Sequence, residues 1–314
     1  MHLAEGTLPP LHAAIGWAVA IPLVAWSLAD LRPGTAEVDQ DRPESRRALL
    51  PAATSLLFAA TLLPLPVPVV GATSHLCLTP LLGLLLGARA VIWPTFFVLL
   101  VQALFFAHGG LTTLGANTVS LGVIGPVAAI GVFRLLHGLK IRPALALASA
   151  CVVGDLAVYL GDAVILAIAL SEAAPPLVTF GAVAVGFAPV QVPLAVLEGW
   201  LGVTLVRRLS RRRPAAVPEP MRFDADGPLR LRATGALVAF LSVGVLVGCE
   251  ATGIDDSVFG TIAERGGRAP TDILLDLSGG EFGLAMSVLL PFVFGFVVGR
   301  TWERLGQRDH GTPH

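Results

Sequence analysis

Apolar runs recur along this chain, and most reach the roughly 20 residues that a helix needs to cross the hydrocarbon of a bilayer. They fall at about 11–31, 49–70, 76–88, 90–107, 116–136, 143–170, 177–206, 233–250 and 281–300. Backbone in lipid must satisfy its own hydrogen bonds, so such runs fold as helices. The expected fold class is therefore all-α, a polytopic membrane protein with about nine transmembrane helices, seven followed by a basic break and then two. Composition agrees. Only 14% of the 314 residues are charged and 54% are hydrophobic, against about 25% charged in soluble domains. No nucleic-acid partner is expected. The three cysteines, Cys77, Cys151 and Cys249, are far apart and form no CxxC pair, which argues against a disulfide framework or a zinc site.

Basic residues orient the spans, because cytoplasmic loops carry the excess of Lys and Arg. With the N-terminus outside, 19 of the 21 basic residues fall on one face, from Arg32 and the Arg42–Arg47 group to Arg300, Arg304 and Arg308. Only Arg265 and Arg268 fall opposite. The expected topology is N-terminus out, C-terminus cytoplasmic, in a cell membrane. It divides the chain into a seven-helix domain at 1–210, a basic cytoplasmic linker at 211–232 and a two-helix region at 233–314. An external loop at 250–281 carries Glu250, Asp255, Asp256, Glu264, Asp272, Asp276 and Glu281 against two arginines. Such a loop attracts cations, but its plainer reading is a solvated surface that also covers the outer face.

Met1-His2 is placed outside by this topology. No basic n-region precedes the first span, so an uncleaved N-terminus is expected. The terminal amine, the His2 amide and the His2 imidazole can close a five- and a six-membered chelate ring on one metal ion. Three nitrogens in a plane leave a fourth equatorial place, a geometry suited to late divalent metals. Most second-position histidines do nothing, so this pair needs context. The third span supplies some. Pro64 to Gly71 cannot be regular helix, since each proline removes a donor and restricts its predecessor. Broken spans of this kind point to the substrate site of a transporter. His75 lies in the broken stretch, where a lone histidine is either a hydrogen-bonded structural residue or a ligand.

The segment Ala107-His-Gly-Gly-Leu-Thr-Thr-Leu-Gly-Ala-Asn117-Thr-Val-Ser-Leu-Gly122 crowds glycines, hydroxyls and an amide at the outer end of a span. Helix packing alone would use them. So would the orienting of metal ligands, with His108 and Asn117 as candidates. Ionisable residues within spans are costly and often functional. Asp155 and Asp162 stand on one helix about 10.5 Å apart in rise, too far for an aspartyl dyad that shares a proton. They read as polar residues of helix interfaces, and Glu198 reads as a structural hydrogen-bond acceptor. The chain's one lysine, Lys140, fits no GxxxxGK[ST] nucleotide loop, and HExxH and GxSxG are absent.

Four stretches together resemble one family. They are MHLAEGTLPPLHA at the start, GATSHL around His75, AHGGLTTLGANTVSLGVIGP at 107–126, and Gln191-Val-Pro-Leu-Ala-Val-Leu-Glu198-Gly199. Over residues 1–210 the chain resembles the cobalt/nickel substrate-capture subunit of energy-coupling-factor (ECF) transporters, the CbiM/NikM type. The resemblance implies a metal held by the amine of Met1, the amide and imidazole of His2, and the imidazole of His75. It also implies a membrane coupling subunit and cytoplasmic ATPases as partners, with ATP used by those partners, no catalytic cofactor and no enzymatic activity. Cobalt is favoured over nickel by the opening MHLAEG and by residues 221–314, which resemble the two-helix accessory subunit (CbiN/NikN-like) of the same transporters. The family usually reads Ser-Ser-His-Pro-Thr-Gly around the second histidine. Here Leu76, Cys77 and Leu78 follow His75, which places a soft sulfur near the site. The alternatives carried forward are an integral-membrane enzyme, aspartyl or metal-dependent, and a passive metal permease.

Overall fold

The computed structural model describes residues 2–30, 49–63, 65–67, 72–223, 256–272, 275 and 277–309. Among them the chain is mostly helical. Helix α1 spans Pro10–Asp30, α2 Leu50–Leu62, α3 Thr79–Leu86 and α4 Ala88–Phe106. Helix α5 runs Leu114–Gly138 with a π turn at Ser120–Ile124, α6 spans Pro143–Ala169 and α7 Pro176–Arg212. A π turn at Asp256–Gly260 leads into α8, Thr261–Arg265, and α9 spans Gly280–Asp309. Helices α2, α3, α6 and α7 each carry proline in the first turn. A proline there loses no hydrogen bond, because the amide it lacks has no intrahelical acceptor.

Among the described residues, five helices are long and apolar enough to cross a bilayer: Pro10–Ala29, Ala88–Phe106, Leu114–Gly138, Pro143–Ala169 and Pro176–Arg212. Large apolar side chains face outward from them, among them Leu177 at 81% exposure and Val185 at 74%, as lipid contact requires. Of the remaining expected spans, the one at 281–300 falls within α9, and the others differ. The one at 49–70 ends as helix at Leu62, and Leu65–Val67 (β1) then pairs antiparallel with Ala72–Ser74 (β2), Leu65 opposite Ser74. Proline density forces this small departure from an all-α chain. The span expected at 76–88 is only the eight-residue α3, about 12 Å long, and all eight residues are buried. Irregular backbone at membrane depth survives only when protein encloses it, and α3 is enclosed by α4, α5 and α6. The expected span at 233–250 lies outside the described residues.

Close approach sets the frame. The helices α1 and α5 cross where Gly16 meets Gly115, and a Cβ on Gly115 would run into the Gly16 carbonyl carbon and the Trp17 amide. Backbones can meet this closely only through small residues, and dispersion then does the work that water cannot do in lipid. The basic segment expected as a linker begins inside α7, which continues to Arg212. Beyond it, Ala216, Val217 and Met221 are buried against the bundle, so residues 214–223 dock on the bundle. On the far side α9 lies against α2, with the rings of Phe58 and Phe294 stacked at 4.2 Å and 11°.

Candidate metal centre

Residues 2–8 enter one end of the bundle as a plug with a turn at Glu5–Gly6. Leu3 is fully buried and its backbone is gripped from both sides. Asn117 accepts the Leu3 amide at 2.9 Å and donates to the Leu3 carbonyl at 3.1 Å. The side-chain amide thus mimics a neighbouring strand. Thr113 Oγ1 donates to the same carbonyl at 2.6 Å. Two residues on, Glu5 accepts the amide of Thr112 at 3.2 Å. The paired glycines make room: a Cβ on Gly110 would lie 2.6 Å from the Glu5 nitrogen. Residues near 270 close the other side. Thr271 donates its amide to the Glu5 carbonyl at 3.0 Å, and the Arg268 guanidinium donates to the Leu8 carbonyl at 3.0 Å. Residues Arg268 and Thr271, in the acidic stretch, therefore lie over the plug.

A second limb delivers His75. Helix α3 cannot cap its own first amides, and Leu78 before it is left-handed, at φ +56°. The Glu198 carboxylate on α7 does the capping, accepting the amides of Cys77 at 2.9 Å and Leu78 at 2.9 Å. A carboxylate at a helix N-terminus is favoured by both the free amides and the helix dipole. Just ahead of His75, Ser74 Oγ lies 3.2 Å from the Tyr159 hydroxyl and donates to Gln191 Oε1 at 3.5 Å. Gln191 Nε2 in turn donates to Asp155 at 2.6 Å. Cys77, Asp155 and Glu198 form a fully buried group beneath the histidine, with candidate ligand atoms within 4.8 Å of one another.

The third arm is His108, on the turn that ends α4. Its amide bonds back to the Gln102 carbonyl at 3.2 Å, and Ala107 before it is left-handed at φ +47°. The three imidazoles converge: ring centroids are 5.0 Å apart for His2–His75, 4.4 Å for His2–His108 and 5.4 Å for His75–His108. One nitrogen from each lies within 4.8 Å of the other two. Metal–imidazole bonds of about 2.0–2.1 Å place neighbouring ligand atoms about 3 Å apart, so the rings would draw inward around an ion. Burial pushes the His2 and His75 imidazoles well below their ordinary pKa, with the neighbouring His108 adding to the effect, and burial takes His108 to about 3. All three are therefore neutral near pH 7, with lone pairs ready for a cation.

The other candidates are distributed as follows. Met1, whose amine the sequence supplies as a ligand, lies outside the described residues. Asn117 holds the plug's backbone and touches no imidazole through a hydrogen bond. Asp155 and Asp162 serve different neighbourhoods. Asp155 joins Gln191 and Cys77, while Asp162 is fully buried with neither oxygen hydrogen-bonded among the described residues. Sequence reasoning placed Glu198 as a structural acceptor without seeing whose amides it accepts. It did not single out Ser74, Tyr159, Gln191 or Glu5. Gln191 and Glu198 stand seven apart as a polar pair in the apolar middle of α7, and that spacing was the available signal.

Residues 2–216 match the family described as CbiM, cobalt uptake substrate-specific transmembrane region. The chain belongs to this family. A cobalt transport protein CbiM of Geobacter sulfurreducens is 34% identical over 97% of this chain and 90% of its own length. Another, from Sorangium cellulosum, is 40% identical over 68% of this chain and 93% of its own. The crystal structure of a truncated transition metal transporter superposes with a TM-score of 0.55 at 25% identity, covering 67% of this chain and 99% of that one. Membership in the CbiM family fits a multi-pass membrane protein. The Geobacter relative aligns past residue 216, so the C-terminal third is shared with at least that member of the family.

Proposed function

We propose that this chain is the substrate-capture subunit of an ECF-type transporter, importing a divalent transition metal, cobalt before nickel. The observation that carries this reading is the convergence of His2 and His75, both buried, and the half-buried His108 from three separate segments on one small volume. In this reading the Met1 amine, the His2 amide and imidazole and the His75 imidazole hold the ion, and Asn117, Thr113 and Glu198 position the two limbs by their backbones. The N-terminus faces outward and the C-terminus inward, as the distribution of arginines supports. Region 233–314 acts as an accessory element of the CbiN type, covering the plug through Arg268 and Thr271. The relatives are named as cobalt transport proteins, which favours transport over enzymatic conversion. A membrane coupling subunit and two cytoplasmic ATPases would supply the ATP-driven cycle, since nothing in the sequence fits a nucleotide loop.

Two measurements test this. Purified full-length protein with its native start should bind about one cobalt or nickel ion by mass-spectrometric metal analysis, and His2→Ala with His75→Ala should remove it. Retained binding in that double variant would sink the site. One residue added ahead of Met1 converts the terminal amine to an amide and should weaken binding by at least about 100-fold with an unchanged melting curve, since a chelate ring worth several kcal/mol is lost. In cells, uptake that persists without the co-expressed ATPases would point to a passive permease.

A further inference from the structure

We propose that Asp162 and the π turn of α5 form a sodium site inside the bundle, apart from the histidine centre and independent of the reading given to it. Asp162 is fully buried on α6, about 10 Å in rise from the end of that helix at Ala169. Four carboxylates are buried among the described residues, and three of them are engaged. Glu5 accepts the Thr112 amide, Asp155 accepts Gln191, and Glu198 accepts two consecutive amides. Asp162 is the exception: neither of its oxygens has a hydrogen-bond partner among the described residues. A bare carboxylate within a membrane bundle is costly and marks a functional site by default. What it lacks is a positive charge.

The neighbouring groups supply oxygen. One face of α6 packs tightly on the π turn: a Cβ on Gly125 would lie 2.6 Å from Val158 Cγ2, and one on Gly161 2.9 Å from Ile124 Cδ1. Asp162 follows Val158 by one turn on that face. The Ser120 hydroxyl stands beside its carboxylate, yet gives its hydrogen to the Asn117 carbonyl at 3.2 Å. Ser120 therefore has a lone pair to offer rather than a proton. The turn also frees backbone oxygens. Gly125 gives its amide to Ser120, so the Leu121 carbonyl loses its ordinary i+4 donor, and the Gly122 carbonyl would need the amide of Pro126, which has none. Interruptions of this kind recur at functional sites, and unwound carbonyls coordinate sodium within transporter helices. Carboxylate, hydroxyl and carbonyl oxygens are hard ligands, unsuited to the soft or nitrogen-seeking metals. One carboxylate balances one positive charge, so the ion is monovalent, and close packing favours sodium over the larger potassium. A proton would engage one carboxylate oxygen only, whereas sodium can draw on several oxygens at once. Because Ser120 is tied to Asn117, which grips Leu3, a bound ion would brace the seat of the plug.

The test uses the full chain with its native start, purified in detergent, with radioactive sodium ion as the probe. No cobalt or nickel is present, so the outcome is separate from that of the histidine site. Wild-type protein should bind sodium saturably, one ion per chain. Its melting temperature should rise by about 2–4 °C between roughly 1 and 150 mM sodium at constant ionic strength, the balance being N-methylglucamine. Potassium in place of sodium should give no rise. Asp162→Asn keeps the shape of the side chain without its charge and should lose both signals. Ser120→Ala keeps the carboxylate and should weaken sodium binding by about tenfold, which decides the matter should the Asp162 variant fail to fold. Absence of saturable sodium binding in wild type overturns the inference, as does an equal response to potassium. So does binding that Asp162→Asn retains or, should that variant not fold, that Ser120→Ala leaves unchanged. A wild-type melt that responds to pH but not to sodium would reveal a protonated carboxyl and likewise overturn the sodium site.

Discussion

The plug and the His75 limb each deliver one imidazole to the same point, yet they are held by different means. The plug, near the start of the chain, is gripped by an amide that copies a strand, a threonine hydroxyl and the Arg268 guanidinium, with glycines that let the backbone come close. The His75 limb is internal, and a buried carboxylate on α7 fixes it through two consecutive amides. In both, side chains hold backbone rather than rings. Each imidazole is thereby carried on a backbone segment that several hydrogen bonds hold in place. Outer partners of a metal site are commonly worth 10–100-fold in affinity, and here they work at one remove, through the chain that carries the ligand.

If the plug depends on close approach, breaking it sterically should have the largest effect. In Gly110→Ala the new Cβ meets Glu5 backbone at 2.6 Å, whereas at Gly131 nothing lies within 4 Å. Gly110→Ala should cost about 100-fold in cobalt affinity by calorimetric titration, and Gly131→Ala should change nothing measurable. Equal effects would mean that the plug is not tightly seated. The His75 limb should be sensitive to charge instead. Glu198→Gln replaces one acceptor oxygen with a donor facing a buried amide, a loss of about 1–3 kcal/mol. It should lower the melting temperature and reduce affinity by about tenfold, and a melt indistinguishable from wild type would show the clamp to be dispensable.

The smallest effect is in pH. For metal-free protein, the three imidazoles have folded-state pKa values lowered by burial, and His108 sits at about 3. The unfolded chain takes up these protons first, near pH 6.5, so the folded state binds fewer of them. Stability is then full above about pH 6.5 and declines as pH falls from there toward 3. The protection factors of amides 2–8, which correct for the intrinsic slowing of exchange at lower pH, should fall over that range before those of α6 or α7. Constant protection of residues 2–8 from pH 7 to 4 would contradict burial of the rings.

Much of this was legible in the sequence. Hydropathy found α1 and the long helices α4 to α7, because a span in lipid is specified locally. The proline run announced that α2 would stop early. What hydropathy could not show is that α3 is two turns long and enclosed, since a buried short helix and a crossing one are equally apolar. The site was half legible. His2 and His75 stood out by chelate chemistry and by the broken span, whereas His108 appeared only as a helper. Its distance from them depends on how α4 ends, in a left-handed turn at an alanine that carries no sequence signal. Glu198 reaches amides 120 and 121 residues away, and no local pattern encodes such a pairing.

The contact between Thr271 and Glu5 has a consequence for the birth of the protein. Glu5 leaves the ribosome among the first residues, but the amide that closes over its carbonyl is made 266 positions later. At about 5–20 residues per second that is an interval of roughly 13–50 s. Once α5 has been made the plug can seat against it but has no cover, and the centre is finished only when Thr271 is in place. A chain cut short after α7 would carry all three histidines yet leave the doorway open.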